Sequence, residues 1–314
     1  MKIAVLEPLG VEEPLLRRIA EEKLGTSHEL ILYPTRTTDA KELIDRAADA
    51  EAIVVANLPL SGEVLAGCPS LRLLSVAFTG VDHIALDACR EKGVVVCNCA
   101  GYSTAAVADL VFGLLIALYR RIPACNEAVR SAGTKDGLIG FELEGKKFGV
   151  IGTGAIGSRV AGIAAAFGCE VYAYSRTRKA LPGVTYVDLD TLLLTCDIVS
   201  LHTPLNEQTR GLIGRDQLAK MKKNAVLINT ARGPIVDSAA LSQALMEGKI
   251  AGAGIDVFEE EPPIQQNHPL FQAPGVLATP HVAFATKEAL IKRAHIAFQN
   301  IAAYLSGAPQ NRIL

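Results

Sequence analysis

The sequence predicts an α/β protein built from two doubly wound parallel sheets, and three observations carry that reading. Residues 1–98 alternate short apolar strands with amphipathic helices. The stretch from Lys147 to Arg178 reads strand, glycine turn, helix, strand. Beyond it, a set of apolar strands each runs into a polar cluster. Such alternation gives parallel sheets covered on both faces.

In the first part, strands are expected at Ile3 to Leu6, Leu30 to Tyr33, Ile53 to Ala56, Leu71 to Val76 and Val94 to Cys97. Helices are expected near Glu12 to Leu24, Ala40 to Ala48 and Leu86 to Lys92. The loop Ala77-Phe78-Thr79-Gly80-Val81-Asp82 follows the carboxyl end of a strand, the edge at which open α/β sheets bind ligands. Its amides suit a small anion, and a plain connection with a glycine turn is the other reading.

Residues 103 to 132 read as one long helix, capped by Ser103 or Thr104 and presenting Val107, Leu110, Val111, Leu114, Leu115 and Leu118. It is apolar nearly all round and is expected to pack between domains or subunits. A final helix, near Lys287 to Ser306, cannot add a strand to the second sheet. Its expected place is on the first domain, which becomes discontinuous: 1–98 plus 288–314 around an inserted domain at 99–287.

The inserted stretch KFGVIGTGAIGSRVAGIAAAFGCEVYAYSRTR carries the chemistry-bearing glycines. Gly152 permits a tight turn, Gly154 lets the backbone approach a pyrophosphate, and Gly157 lets the helix lie close on the sheet. The helix then offers free N–H groups and its positive dipole end to phosphates. Glycine spacing alone is a weak signal; the flanking strand and helix make it a dinucleotide site.

An acidic residue about 20 positions past the first glycine normally binds the ribose hydroxyls of NAD. Ser175 stands there, followed by Arg176 and Arg178, which suit a 2′-phosphate. NADP is therefore the expected cofactor, with NAD possible; two arginines on a solvated loop are the plainer alternative.

Further strands at Asp197 to Leu201, Ala225 to Asn229, Ile250 to Ile255 and Val276 to Ala278 lead into His202-Thr203-Pro204, Thr230-Ala231-Arg232-Gly233, Asp256 and Thr279-Pro280-His281. These polar ends should share one edge of one sheet, the edge where ligands sit.

At 314 residues, half of them apolar and one-fifth charged, the chain is long enough for about two well-buried domains. A formal net charge of -2 gives no electrostatic case for nucleic acid or an anionic membrane as partner. The seven cysteines, Cys68, Cys89, Cys97, Cys99, Cys125, Cys169 and Cys196, include no CxxC pair and read as small core residues in a reducing compartment. Neither a disulfide framework nor a metal site is expected. The start MKIAVLEPLGVEEP lacks the apolar core of a signal peptide, and Leu110 to Leu118 is too short to span a bilayer. A cytoplasmic protein is the expectation.

Taken singly, Arg232 suits a salt bridge, Glu261 belongs to the solvated run Glu259-Glu260-Glu261, and His281 suits a loop histidine. Together they meet three needs of 2-oxo acid reduction. Arginine binds a carboxylate at two points and polarises the neighbouring carbonyl. Histidine, with an unperturbed pKa of about 6.5, can donate a proton near neutrality. A nearby carboxylate favours imidazolium over imidazole. Hydride would come from the nicotinamide.

The motifs GTGAIG (Gly152 to Gly157), HTPLNEQTRGLI (His202 to Ile213), NTARGPIVD (Asn229 to Asp237), GIDVFEEEP (Gly254 to Pro262) and TPH (Thr279 to His281) resemble, in this order, the D-isomer-specific 2-hydroxyacid dehydrogenases. The resemblance covers nearly the whole chain. It implies a Rossmann dinucleotide-binding domain inserted into a flavodoxin-like substrate domain, and a homodimer clasped through the long helix. It places the family's catalytic arginine, glutamate and histidine on Arg232, Glu261 and His281, and the carboxamide-binding aspartate on Asp256. Thr104, Ala155, Ile156, His202, Thr203, Pro204, Thr209, Thr230 and Ala231 fall on cofactor-lining positions, and Ala77, Phe78, Thr79 and Gly80, with Arg232, on the substrate site.

Two departures stand out. Ser175 replaces the aspartate of NAD-using members, as in NADP-dependent glyoxylate or hydroxypyruvate reductases. Phe78 and Thr79 replace smaller residues, so a phenyl ring narrows the pocket or forms an apolar wall. The implied activity is NADP(H)-dependent reduction of a small 2-oxo acid. An NAD-dependent phosphoglycerate dehydrogenase-like enzyme is the alternative, although no additional phosphate site or regulatory domain is apparent. Formate oxidation is disfavoured because those members have glutamine where Glu261 stands. A non-catalytic dinucleotide-sensing corepressor is the rival from another class; partner-binding extensions would be expected of it.

Overall fold

The computed structural model describes residues 1–261 and 263–314; Pro262, the last residue of GIDVFEEEP, lies outside the described residues. The chain forms two compact units, Met1–Ser103 with Ala285–Leu314, and Thr104–Phe284.

The first unit contains β1 (Lys2–Val5), α1 (Glu13–Leu24), β2 (Glu29–Leu32), α2 (Ala40–Ala47), β3 (Ala52–Val55), α3 (Gly62–Ala66), β4 (Leu73–Val76), α4 (Leu86–Glu91) and β5 (Val95–Asn98). Its strands are all parallel in the order β2-β1-β3-β4-β5, the flavodoxin-like arrangement. β3 and β4 are buried along their whole length because helices cover both faces. Asp39 caps α2 by accepting the Glu42 N–H at 2.8 Å.

The C-terminal helix Lys287–Leu305 packs on α1 and β4. Its contacts satisfy buried polar groups in the sheet: Ser75 Oγ donates to Ala297 O at 2.9 Å, and Asn300 Nδ2 to Asn98 O at 2.8 Å.

The second unit begins with α5 (Thr104–Tyr119) and α6 (Ile122–Arg130), then β6 (Lys147–Ile151), α7 (Ala155–Ala166), β7 (Glu170–Tyr174), β8 (Val184–Tyr186) and α8 (Leu189–Thr195). It continues with β9 (Ile198–Leu201), α9 (Arg215–Lys220), β10 (Val226–Asn229), α10 (Ser238–Met246), β11 (Gly252–Ile255) and β12 (Val276–Ala278). The parallel sheet runs β12-β11-β10-β9-β6-β7-β8, so chain order reverses between β6 and β9. Ligands of such sheets bind outside the carboxyl ends at that reversal.

One face of this sheet buries Phe148, Val150 and Val160 against Val111, Phe112 and Leu115 of α5; the other buries Leu192, Leu218, Leu227, Leu241 and Leu245. A β-carbon at Gly254 of β11 would fall 3.1 Å from Leu114 Cβ, which shows how closely α5 lies on the strands. Its all-round apolar character is accounted for within this unit, where α5 is sandwiched between α7 and β10–β11.

The single helix expected over 103–132 is instead two. Arg121 turns into the left-handed region at φ +51°, and Pro123 stands at the start of α6. Proline has no N–H for the Tyr119 carbonyl, and its ring would clash there. That carbonyl accepts the Phe141 N–H at 3.0 Å instead. Among the described residues no helix is long and apolar enough to cross a membrane.

Candidate active site

The carboxyl edge of the second sheet carries the residues singled out from the sequence. At β6 the chain turns through Gly152 at φ +94°, where a β-carbon would fall 2.6 Å from His202 O. One at Gly157 would fall 1.9 Å from Gly152 O, so only glycine lets α7 lie against the turn. Gly154 has open space instead, and it caps α7 with Ala155 and Ile156 in the first turn. Gly154 and Ala155 are exposed and Ile156 half-buried, so the helix start is open to a ligand.

Ser175 follows β7, and its Oγ accepts the Thr153 N–H at 3.4 Å. Arg176 and Arg178 are exposed on the same loop, and the Arg178 guanidinium lies 5.8 Å from the Tyr186 ring centroid.

After β9, His202 Nε2 pairs with Ser200 Oγ at 2.8 Å, and desolvation pushes the imidazole pKa down to about 3. Thr203 is half-buried and Pro204 exposed. The Thr209 hydroxyl donates to Pro204 O at 2.6 Å and accepts the Asn206 N–H at 2.8 Å, so it holds its own loop.

After β10, buried Asn229 braces the next turn: its Oδ1 accepts the Ala231 N–H at 3.0 Å and its Nδ2 donates to Arg232 O at 2.9 Å. Arg232 Nη1 donates to Ala231 O at 2.7 Å. Among the described residues the buried Thr230 Oγ1 has no hydrogen-bond partner, which makes it a group open to a ligand.

After β11, Asp256 is wholly buried. Its Oδ1 accepts Thr279 Oγ1 at 2.6 Å and Val282 N at 2.9 Å, and its Oδ2 accepts Ala283 N at 3.0 Å. Burial raises its carboxyl pKa, and these hydrogen bonds act against that rise. The carboxylate thus fastens the loop after β12, which contains His281. There the His281 N–H donates to Asp256 O at 2.7 Å, and the residue adopts φ +52°, a left-handed conformation uncommon outside glycine.

Glu261 joins that loop to its own: Oε1 accepts the Phe258 N–H, and Oε2 pairs with His281 Nδ1. The two side chains are 18% and 20% exposed, so the pair is largely shielded yet reachable. With Nδ1 engaged, proton exchange falls to Nε2. The His281 ring meets Phe284 edge-on at 5.5 Å between centroids. Arg232, Glu261 and His281 therefore stand on loops after three neighbouring strands, with Glu261 and His281 in direct contact.

Thr104 opens α5 and is half-buried. The loop Ala77 to Gly80 belongs to the first unit, at the carboxyl end of β4. Ala77 N donates to Val55 O at 2.6 Å, Phe78 O accepts Cys99 N at 2.9 Å, and Thr79 O accepts Asn98 Nδ2 at 2.7 Å. The Phe78 ring is buried, 6.3 Å from His83 and 6.2 Å from Tyr102 between centroids.

The residues fit a nicotinamide dinucleotide: an open helix start behind a glycine turn that no β-carbon could enter, and the orphaned Thr230 hydroxyl farther along the same edge. Gly152, Gly154, Ala155 and Ile156 would hold its pyrophosphate. Among the described residues no group of three or more His, Cys, Asp or Glu side chains is placed to hold a metal ion. Sequence reasoning missed Thr153, Asn229, Gly233 and Tyr186, which brace these loops. Asn229 alone left a local signal, an asparagine followed by a turn, the pattern of a side chain bonding its own backbone two residues on.

Residues 112–283 match the family model described as D-isomer specific 2-hydroxyacid dehydrogenase, NAD binding domain. The chain is 40% identical over 278 residues to a glyoxylate reductase of Thermococcus litoralis, covering 84% of this chain and 83% of that one. It is 34% identical to a hydroxypyruvate reductase of Blautia hydrogenotrophica, over 99% of both chains. Among solved structures, an acyclic imino acid reductase in complex with NADPH and D-Arg superposes with a TM-score of 0.90 at 31% identity, over 100% of both chains. With its glycine turn, its two parallel sheets and these relatives, the chain belongs to the D-isomer specific 2-hydroxyacid dehydrogenase family, NAD(P)-dependent oxidoreductases acting on a CH–OH group.

Proposed function

We propose that the protein is an NADP-preferring reductase of a small 2-oxo acid, glyoxylate or hydroxypyruvate, forming the D-2-hydroxy acid where the product is chiral. The observation that carries this reading is the Glu261–His281 pair on the loops beside Arg232. The bound nicotinamide supplies the hydride. Arg232 binds the substrate carboxylate at two points and orients the carbonyl. His281 passes the Nε2 proton to the carbonyl oxygen, and Glu261 at Nδ1 holds the ring in position and stabilises its charged form. Asp256 holds the His281 loop through its carboxylate. Of the loop Ala77 to Gly80, the Ala77 amide is taken by Val55 O, so the substrate role proposed for this loop falls to Phe78, Thr79 and Gly80.

The NADP preference is supported by the absence of a carboxylate at Ser175 and by Arg176, Arg178 and Lys179 on one exposed loop. The NADPH complex of the imino acid reductase is in keeping with it. Ile122, Val129, Ile139 and Phe141 are exposed apolar residues within one segment, and a second copy of the chain is the proposed cover, giving a homodimer. The cysteines are all free, in keeping with the cytoplasm.

Initial rates by nicotinamide absorbance, with NADPH and NADH in parallel, test the reading against glyoxylate, hydroxypyruvate, pyruvate, phenylpyruvate and branched 2-oxo acids. Fast NADPH oxidation with glyoxylate or hydroxypyruvate is expected. Exclusive use of NADH with a phosphorylated hydroxy acid would replace it with the phosphoglycerate dehydrogenase-like alternative. No turnover in protein that binds NADPH would favour the corepressor reading.

A further inference from the structure

The hydroxyl of Tyr186 joins the glycine turn to the loop proposed above to favour the 2′-phosphate of NADP. It donates to Thr153 Oγ1 at 3.1 Å and accepts the Lys179 N–H at 3.1 Å. Thr153 lies inside the glycine turn and is 2% exposed. Its amide donates to Ser175 Oγ at 3.4 Å, and its hydroxyl reaches Thr177 O at 3.5 Å. The Tyr186 ring also faces the Arg178 guanidinium at 5.8 Å. Tyr186 ends β8, the short outermost strand on that side of the sheet.

These contacts act on one loop, 175–179, whose exposed residues 176–179 include Arg176, Arg178 and Lys179. Three like charges on an unsupported loop repel and disperse. Here the Lys179 amide is fixed, and Arg178 is held at an aromatic face. Ser175 and Thr177 are tied to the glycine turn itself. A site ordered before its ligand arrives spends less of the binding free energy on ordering.

We infer that Tyr186 is a positioning residue for the 2′-phosphate of the cofactor: through Thr153 and Lys179 it holds the cationic loop 175–179 in register with the glycine turn. The inference rests on the NADP reading above. Phenylalanine at this position keeps the ring and loses both hydrogen bonds, whereas leucine loses the aromatic face as well.

Calorimetric binding of 2′,5′-ADP and 5′-AMP to the full chain tests it, with thermal unfolding of each variant as a check on folding. Wild type binds 2′,5′-ADP more tightly than 5′-AMP. Tyr186→Phe weakens 2′,5′-ADP about tenfold, equivalent to about 1.4 kcal/mol, and 5′-AMP less than about twofold. Tyr186→Leu weakens 2′,5′-ADP further, because the cation–π contact is gone. In turnover the Tyr186→Phe loss falls on the KM for NADPH rather than on kcat. Wild-type affinities in Tyr186→Phe would overturn the inference, and so would equal weakening of both ligands, which marks a merely structural support. A wild type that shows no preference for 2′,5′-ADP overturns the NADP reading and the inference with it, so wild type alone separates the two failures.

Discussion

Gly233 lies so close to Phe258 that a β-carbon at position 233 would fall 2.0 Å from the Phe258 carbonyl carbon and 2.5 Å from the Glu259 nitrogen. This contact locks the loop after β10, which carries Arg232, to the loop after β11, which carries Glu261. Backbone has no flexible end that can give way. Gly233→Ala is expected to force the loops apart, cost about 1–3 kcal/mol of stability and lower kcat/KM for a 2-oxo acid at least about tenfold. Thermal unfolding and initial rates check both; an alanine variant that matches wild type would show that the two loops move independently.

Arg232→Lys should lower kcat/KM by about a hundredfold or more, or ~2.7 kcal/mol. A compact ammonium cannot reproduce two-point binding of a carboxylate. Steady-state kinetics decide this, and turnover near wild type removes Arg232 from the mechanism.

Glu261→Gln should lower kcat/KM for reduction about tenfold or more, because the Glu261 carboxylate orients the His281 ring through Nδ1 and a neutral amide is a weaker partner there. Initial rates check this, and turnover at the wild-type level separates the pair in function.

Replacing Ser175 with aspartate should turn preference toward NADH, because a carboxylate repels the 2′-phosphate and accepts from a free ribose hydroxyl. The ratio of kcat/KM with NADPH to that with NADH is the readout. An unchanged ratio would mean that position 175 does not discriminate.

His202 gives a pH prediction for stability. Desolvation holds its pKa down at about 3, whereas the unfolded chain takes up this proton near the ordinary value of about 6.5. Its contribution is therefore complete above about pH 6.5 and is lost as pH falls toward 3. In His202→Gln the melting temperature should fall less steeply between about pH 6.5 and 4 than in wild type. Parallel curves would show that His202 does not titrate on unfolding.

The glycine turn was legible because each glycine answers a local demand, and Gly152, Gly154 and Gly157 each show a distinct one. The strands leading into His202, Thr230, Asp256 and Thr279 were legible as apolar runs, and they do end at one edge of one parallel sheet. The break at Arg121 was missed although Pro123 signals it locally, because the apolar run on either side outweighed one residue. β8 was missed because three residues, Val-Thr-Tyr, carry too short a pattern to register, and with it went the tie between Tyr186 and Thr153.

By itself, then, the sequence determined the fold class and the glycine turn, since periodicity and motif spacing are properties of near neighbours along the chain, while Arg232, Glu261 and His281 were singled out with the help of the family resemblance. Only the tertiary structure decided that Glu261 meets His281, that Asp256 fastens the loop bearing that histidine, and that Gly233 rests on Phe258. Those relationships depend on β10, β11 and β12 lying side by side in register, and strand order is settled by how whole faces pack rather than by any one segment.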